Sequence, residues 1–114
     1  MNQYFLESDK FTMDMANKMR ERYKGRLPVL IWSVIDNIDI VKRKFIVPEG
    51  VTMGQFLYIL KKQIKNKDAT EAIFLIIHNK NILPLMGDTI GKIYAEHNDN
   101  GFLKLAISKE NTFG

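Results

Sequence analysis

Apolar residues recur along this chain in two rhythms, one helical and one alternating, and the changes of rhythm outline its elements. Phe11, Met15, Met19 and Tyr23 fall four apart, with Asp14, Lys18, Glu21 and Arg22 between them. That spacing predicts a helix over about 11–23 with those four side chains turned inward. Lys24-Gly25-Arg26 is a turn, and Pro28 opens the next strand, where a missing donor is tolerated. Val29-Leu30-Ile31-Trp32 and Ile73-Phe74-Leu75-Ile76-Ile77 are apolar at every position, as in strands covered on both faces. Between them, Lys42 to Ile64 reads as a basic-edged strand, a proline stop, and a helix over 52–65 capped by Thr52. The strand sets Lys44, Ile46 and Pro48 on one side against Phe45 and Val47 on the other.

In that helix Met53, Leu57, Leu60 and Ile64 form one stripe, while Phe56 and Ile59 are apolar and lie off it. Either another element covers the surplus, or it borders a groove in which a peptide adds a strand to the lysine-rich edge. The inward methionines leave a similar choice between gap-filling in a core and an adaptable pocket. Ser33 to Val41 is apolar for a connection, so Trp32 and Ile35 either pack down or form a surface of their own. Further on, Lys65 to Thr70 is a polar link, and Ile82-Leu83-Pro84 reads as a brief edge strand. Thr89 to His97 is a short helix, capped by Asp88 or Thr89 and packed through Ile90, Ile93 and Tyr94. Asn98-Asp99-Asn100-Gly101 is a turn, and a last strand alternates Leu103, Leu105 and Ile107 with Phe102, Lys104 and Ala106.

At 114 residues the chain is expected to form one domain with a real core. It contains no cysteine, which excludes disulfides, thiolate metal sites and a cysteine nucleophile. His78 and His97 sit in unrelated turns with no metal-ligand spacing, and no nucleophile or phosphate-loop motif is present. The reading is therefore a non-enzyme, with no catalytic residue, metal or cofactor. No apolar run approaches a membrane span, and the first ten residues lack a signal peptide's apolar segment, so a cytosolic protein is expected. Charge is uneven: 13 Lys/Arg face 7 Asp/Glu through Lys67, and 4 face 6 beyond it. Such a basic first part suits acidic peptides, anionic headgroups or simple solvation. Nucleic acid is not expected, because no stacking aromatics interleave with the lysines.

Lys44-Phe45-Ile46-Val47-Pro48, Thr52-x-Gly54-Gln55-Phe56, RERYKGRLPVLI near the start, TIGKIYAEH late and a terminal Phe113-Gly114 together resemble one family. It is that of the autophagy ubiquitin-like modifiers, of the GABA-receptor-associated-protein and microtubule-associated light-chain type. The resemblance implies an α+β, ubiquitin-like β-grasp with a mixed four-stranded sheet and additional N-terminal helices packed on the opposite face. It divides the chain into an N-terminal helical extension (1–24), the core (25–108) and a flexible tail (109–114). Gly114 would be joined to phosphatidylethanolamine by activating and conjugating enzymes, with a delipidating protease as a further partner. Either the chain is encoded mature or residues beyond Gly114 have been trimmed.

The same resemblance implies that receptors and adaptors bind through aromatic-x-x-aliphatic peptides at the second-strand edge. Their aromatic pocket would be Met19, Pro28, Lys44, Ile46 and Phe102; their aliphatic pocket would be Phe45, Val47, Pro48, Val51, Phe56, Ile59 and Leu60. Arg26, Lys42, Arg43 and Lys44 would meet acidic flanks. Met15 stands where relatives often carry an acid, Gln63 where they carry a base, and Lys104 where they carry an aromatic. The implied protein is a monomer until conjugated, then peripheral on autophagosomal membranes and cytoplasmic vesicles. The alternative is a β-grasp interaction module that is never conjugated.

Overall fold

The structure, a computed structural model, describes residues 10–33, 43–64, 73–78 and 80–109. Residues 1–9, most of the 33–41 connection, the 65–70 link and the tail from 110 lie outside the described residues.

Thr12 opens the first helix, α1 (Met13–Arg22), its hydroxyl accepting from the Met15 N–H at 3.3 Å. After the Gly25 turn come β1 (Arg26–Ser33) and β2 (Lys44–Pro48), then α2 (Met53–Gln63). The strand β3 (Ile73–Ile77), the helix α3 (Ile90–His97) and β4 (Leu103–Lys109) complete the order. The sheet runs β2-β1-β4-β3, with β1 and β4 parallel at its centre and both outer pairs antiparallel. This is the β-grasp arrangement that the family resemblance implies.

The α2 cap is a full capping box: the Thr52 hydroxyl accepts from Gln55 N at 3.1 Å, and Gln55 Oε1 accepts from Thr52 N at 2.9 Å. Both bonds satisfy donors that a helix start leaves orphaned. Thr52→Ala breaks one of them and should lower stability by about 1 kcal/mol. Urea denaturation checks this, with an unchanged slope expected because the surface exposed on unfolding stays the same.

Alternation along the strands builds two apolar layers. Leu27, Val29, Ile31, Phe45, Val47, Leu75, Leu103, Leu105 and Ile107 face α2 and α3 in the main core. On the other face Leu30, Trp32 and Phe102 pack with Ala16 of α1, joined by the half-buried Phe11 and Met19. The sheet is thus covered on both sides at its centre.

Three local expectations shift. The inner face of α1 is Ala16 and Met19 rather than the four-residue stripe, and Met15 and Tyr23 are exposed. Ala16 is the residue that fits because Gly101 comes directly against it. On α2, Phe56 takes the core position and Leu57 is half-buried, since Phe56 meets Phe45 edge-on at 5.4 Å. The brief strand at 82–84 shrinks to one bridge, Ile77 to Ile82.

Candidate functional site

Two observations fix the geometry of the β2 rim. Among the described residues, no strand pairs with its outer edge. Its pairing with β1 places Lys44, Ile46 and Pro48 opposite Leu30, Pro28 and Arg26. Ile31 N donates to Arg43 O at 2.9 Å, and Glu49 N donates to Gly25 O at 3.2 Å. In an antiparallel ladder, hydrogen-bonded pairs alternate with pairs whose N–H and C=O point away. Arg43 and Glu49 therefore set the phase: Phe45 and Val47 are bonded inward, and the backbone groups of Lys44 and Ile46 point out. An incoming extended peptide would meet these groups first.

The residues expected to form an aromatic pocket share the α1 face of the sheet. Pro28 is buried, Ile46 and Met19 are half-buried, Lys44 is exposed, and Phe102 is fully buried beneath Ala16 and Phe11. An open apolar hollow of about 130 Å³ lies beside them, lined by Phe11, Leu30, Ile31, Trp32, Arg43 and Lys44. Sequence reasoning included Lys44 but not Phe11 or Leu30. The signal was present in outline, since Leu30 and Trp32 alternate onto the face opposite Ile31, but Phe11's place depends on where α1 docks.

The residues expected to form an aliphatic pocket divide by depth. Phe45, Val47, Phe56 and Leu60 belong to the main core, Phe56 being 1% exposed. Val51 is half-buried, Pro48 is exposed, and Ile59 is 43% exposed. Val51 and Ile59, with Gly54, Gln55 and Tyr58, line a wide shallow hollow of about 520 Å³. The structure thus brings Val51 and Ile59 together in one hollow, while Phe45, Val47, Phe56 and Leu60 are already packed in the core and Pro48 does not line it.

Arg26 and Arg43 are exposed at opposite ends of the β2 edge, and Lys44 projects between them. Arg26 also borders a polar cavity of about 390 Å³ with Arg20, Lys24, Glu21 and Glu49. Three cations against two acids leave that corner with a positive excess. Lys42 and Gly114 lie outside the described residues. Met15 is exposed on α1, one turn before Met19.

Among the described residues, no cluster of three or more His, Cys, Asp or Glu side chains could hold a metal ion. His78 is buried against Trp32, and burial first, then the Lys104 ammonium, pushes its imidazole below the usual histidine range, with Asp99 opposing. Tyr94 donates its phenolic proton to Gly101 O; burial pushes that phenol up, against the Arg20 guanidinium over its ring at 5.6 Å.

Comparison with known proteins agrees with this architecture. A family model described as "Autophagy protein Atg8 ubiquitin like" matches residues 12–114. "Autophagy-related protein 8a" of Arabidopsis thaliana is 42% identical over 105 residues, covering 90% of this chain and 84% of that protein. "Autophagy-related protein 8" of Lodderomyces elongisporus is 43% identical over 103 residues, covering 87% of this chain and 68% of that one. Among solved structures, Trypanosoma brucei ATG8 superimposes with a TM-score of 0.74 at 29% identity, with 96% of each chain covered. Plasmodium falciparum Atg8 in complex with a Plasmodium falciparum Atg3 peptide gives 0.74 at 25% identity, over 96% of this chain and 98% of that one. With the β-grasp sheet in place and the match running through nearly the whole chain, the conclusion follows that this protein belongs to the Atg8 family of autophagy ubiquitin-like modifiers.

Proposed function

We propose that this modifier is joined through Gly114 to phosphatidylethanolamine, and that its β2 rim then recruits partners carrying an aromatic-x-x-aliphatic peptide. The observation that carries the peptide half is the outward pair of backbone groups at Lys44 and Ile46, flanked by apolar hollows on both faces of the sheet. Main-chain pairing supplies register, and alternate side chains reach the two hollows. Each well-buried anchor contributes roughly 1.5–3 kcal/mol. After ordering costs a micromolar affinity is expected, about −8 kcal/mol. Arg26, Arg43 and Lys44 favour acidic residues beside the anchors. Met15 makes the aromatic side more apolar than an acid would.

The conjugation half is supported by the family match, which extends to residue 114. Glycine has no Cβ to obstruct an approaching thiol or amine. The chain has no cysteine, so the thioester sulfurs belong to the enzymes. The lipid amine attacks the thioester carbonyl, a C–N bond forms, and the enzyme's thiolate leaves. A conjugating enzyme of the Atg3 kind is the natural partner, since a Plasmodium relative is solved with an Atg3 peptide. No helix among the described residues is long and apolar enough to cross a membrane. Two acyl chains would supply the anchor, each buried CH₂ contributing about 0.8 kcal/mol.

The test is reconstitution with the family's activating and conjugating enzymes and liposomes containing phosphatidylethanolamine. Intact-mass and fragment spectra should place one lipid on the C-terminal carboxylate. A protein that stays unmodified while a known Atg8 is lipidated in the same mixture would leave the unconjugated interaction module as the reading.

A further inference from the structure

On the α1 face three buried groups sit together, one of them Trp32 of the hollow beside Lys44, in an arrangement that neither conjugation nor peptide binding requires. His78 follows β3 and stacks on Trp32 of β1, ring centroids 4.9 Å apart and 22° from parallel. His78 N donates to Lys104 O at 2.9 Å, which sets the two residues side by side. Lys104 is only 3% exposed, and its ammonium bonds Asp99 at 3.0 Å. A buried lysine on a strand is uncommon, and it fixes a positive charge beside the imidazole.

The stack continues toward α1. Phe11 meets Trp32 edge-on at 6.4 Å and Phe102 edge-on at 5.5 Å. It immediately precedes the Thr12 cap and shares a cluster with Ala16, four residues past that cap. These are the two positions of a hydrophobic staple, which fixes how the chain enters a helix. Trp32 is therefore the shared surface between His78 on one side and the start of α1 on the other.

We propose that the Trp32–His78 stack over Lys104 is an acid-sensitive latch for α1, in which a proton on His78 loosens Trp32 and with it the docking of Phe11 and Ala16. Among the described residues, the charges that bear on the ring are Lys104 of β4 and Asp99 of the preceding turn. Trp32 and Ser33 of β1 and Phe11 before α1 bring none. Lys80, in the turn after His78, is drawn instead to His97 Nδ1 at 3.3 Å, beside Glu96 of α3. An imidazolium on an indole face does gain cation–π attraction. Here it must leave water and share the site with Lys104 to do so, and those two effects win.

The pH window follows from the direction. The folded state holds His78 below its unfolded value of 6.5 and so keeps it neutral. Its contribution to docking is complete above about 6.5 and is lost as pH falls through the lower folded value. Because Phe102 and Met19 also border the proposed aromatic pocket, peptide binding should weaken alongside. The latch itself does not depend on that pocket.

Trp32 is the only tryptophan, so its emission reads the stack directly. Wild-type protein and His78→Phe, which stacks but cannot take a proton, would be compared between pH 7.5 and 5.0. The readouts are Trp32 emission and the hydrogen-exchange protection of α1 amides. Acid should change emission and cost protection over residues 16–23 in the wild type, and do neither in His78→Phe. The same acid response in both proteins overturns the latch. Should His78→Phe fail to fold, NMR titration of the wild-type histidines decides. Loss of α1 protection that follows the His78 midpoint supports the latch, and loss that follows His97 or neither ring overturns it.

Discussion

Ile46→Asp should weaken an aromatic-x-x-aliphatic peptide by about 100-fold while leaving a folded protein. Ile46 is half-buried on an edge strand, on the same face as Lys44 and Pro28, with its backbone groups turned outward onto the proposed path of the peptide. A carboxylate there removes apolar contact worth roughly 1.5–3 kcal/mol. It would also repel the acidic flanks proposed to meet Arg43 and Lys44. The cost to the fold should stay near 1 kcal/mol, since no core position is touched.

The neighbouring residue supplies the contrast. Val47 points into the main core, and a charge there has no partner, so Val47→Asp should prevent stable folding. Calorimetric titration with one peptide, beside urea melts of both variants, separates the outcomes. An Ile46→Asp protein that binds as tightly as wild type would remove the β2 rim as the peptide site.

Much of this arrangement is written locally. Thr52 with Gln55 three residues later declares the start of α2, and Asn100-Gly101 between Asp99 and Phe102 declares a hairpin turn. The alternation of Leu103, Leu105 and Ile107 declares the inner face of β4. What the chain does not carry locally is the choice between near-equivalent helical stripes. Leu57 and Phe56 both complete an apolar stripe with Met53 and Leu60. Phe45, brought up by β2 from the far side of a proline stop, makes the choice. Met15 and Tyr23 fail as inner residues of α1 for a similar reason, because the contact surface includes a hairpin far downstream, at Asp99–Phe102.

Lys104 shows the same limit in another form. A lysine in an alternating strand reads as a solvent-facing position, yet here it is buried with its ammonium on Asp99. The candidate site inherits this mixture. Residues set by strand parity, such as Lys44 and Ile46, are readable in sequence. Phe11 and the depth of Phe56 are not, because they depend on how helices settle on the sheet.

Gly101→Ala should destabilise the protein by about 3 kcal/mol and undock α1 first. Two separate costs meet at this residue. Asn100 and Gly101 have φ of 53° and 83°, the pair of positive angles that a two-residue type I′ hairpin demands. Asn98 Oδ1 accepts from Gly101 N at 3.2 Å, and Asp99 and Phe102 exchange bonds of 2.8 and 3.1 Å, so the turn cannot easily relax. An L-residue with a Cβ pays roughly 1–2 kcal/mol in that region. A Cβ would also stand 2.6 Å from Ala16 Cβ and 2.9 Å from Met13 Sδ. The methionine can swing aside, but a methyl group fixed to a helix cannot, and overpacking of this kind adds about 1–3 kcal/mol.

Gly25→Ala isolates the first cost, because Gly25 has φ of 79° and open space around it. The excess of Gly101→Ala over Gly25→Ala in urea denaturation is then the steric part. Adding Ala16→Gly should recover much of that excess, less about 1 kcal/mol of helix propensity. Equal losses for the two glycines, or no recovery in the double variant, would mean that α1 does not rest on Gly101.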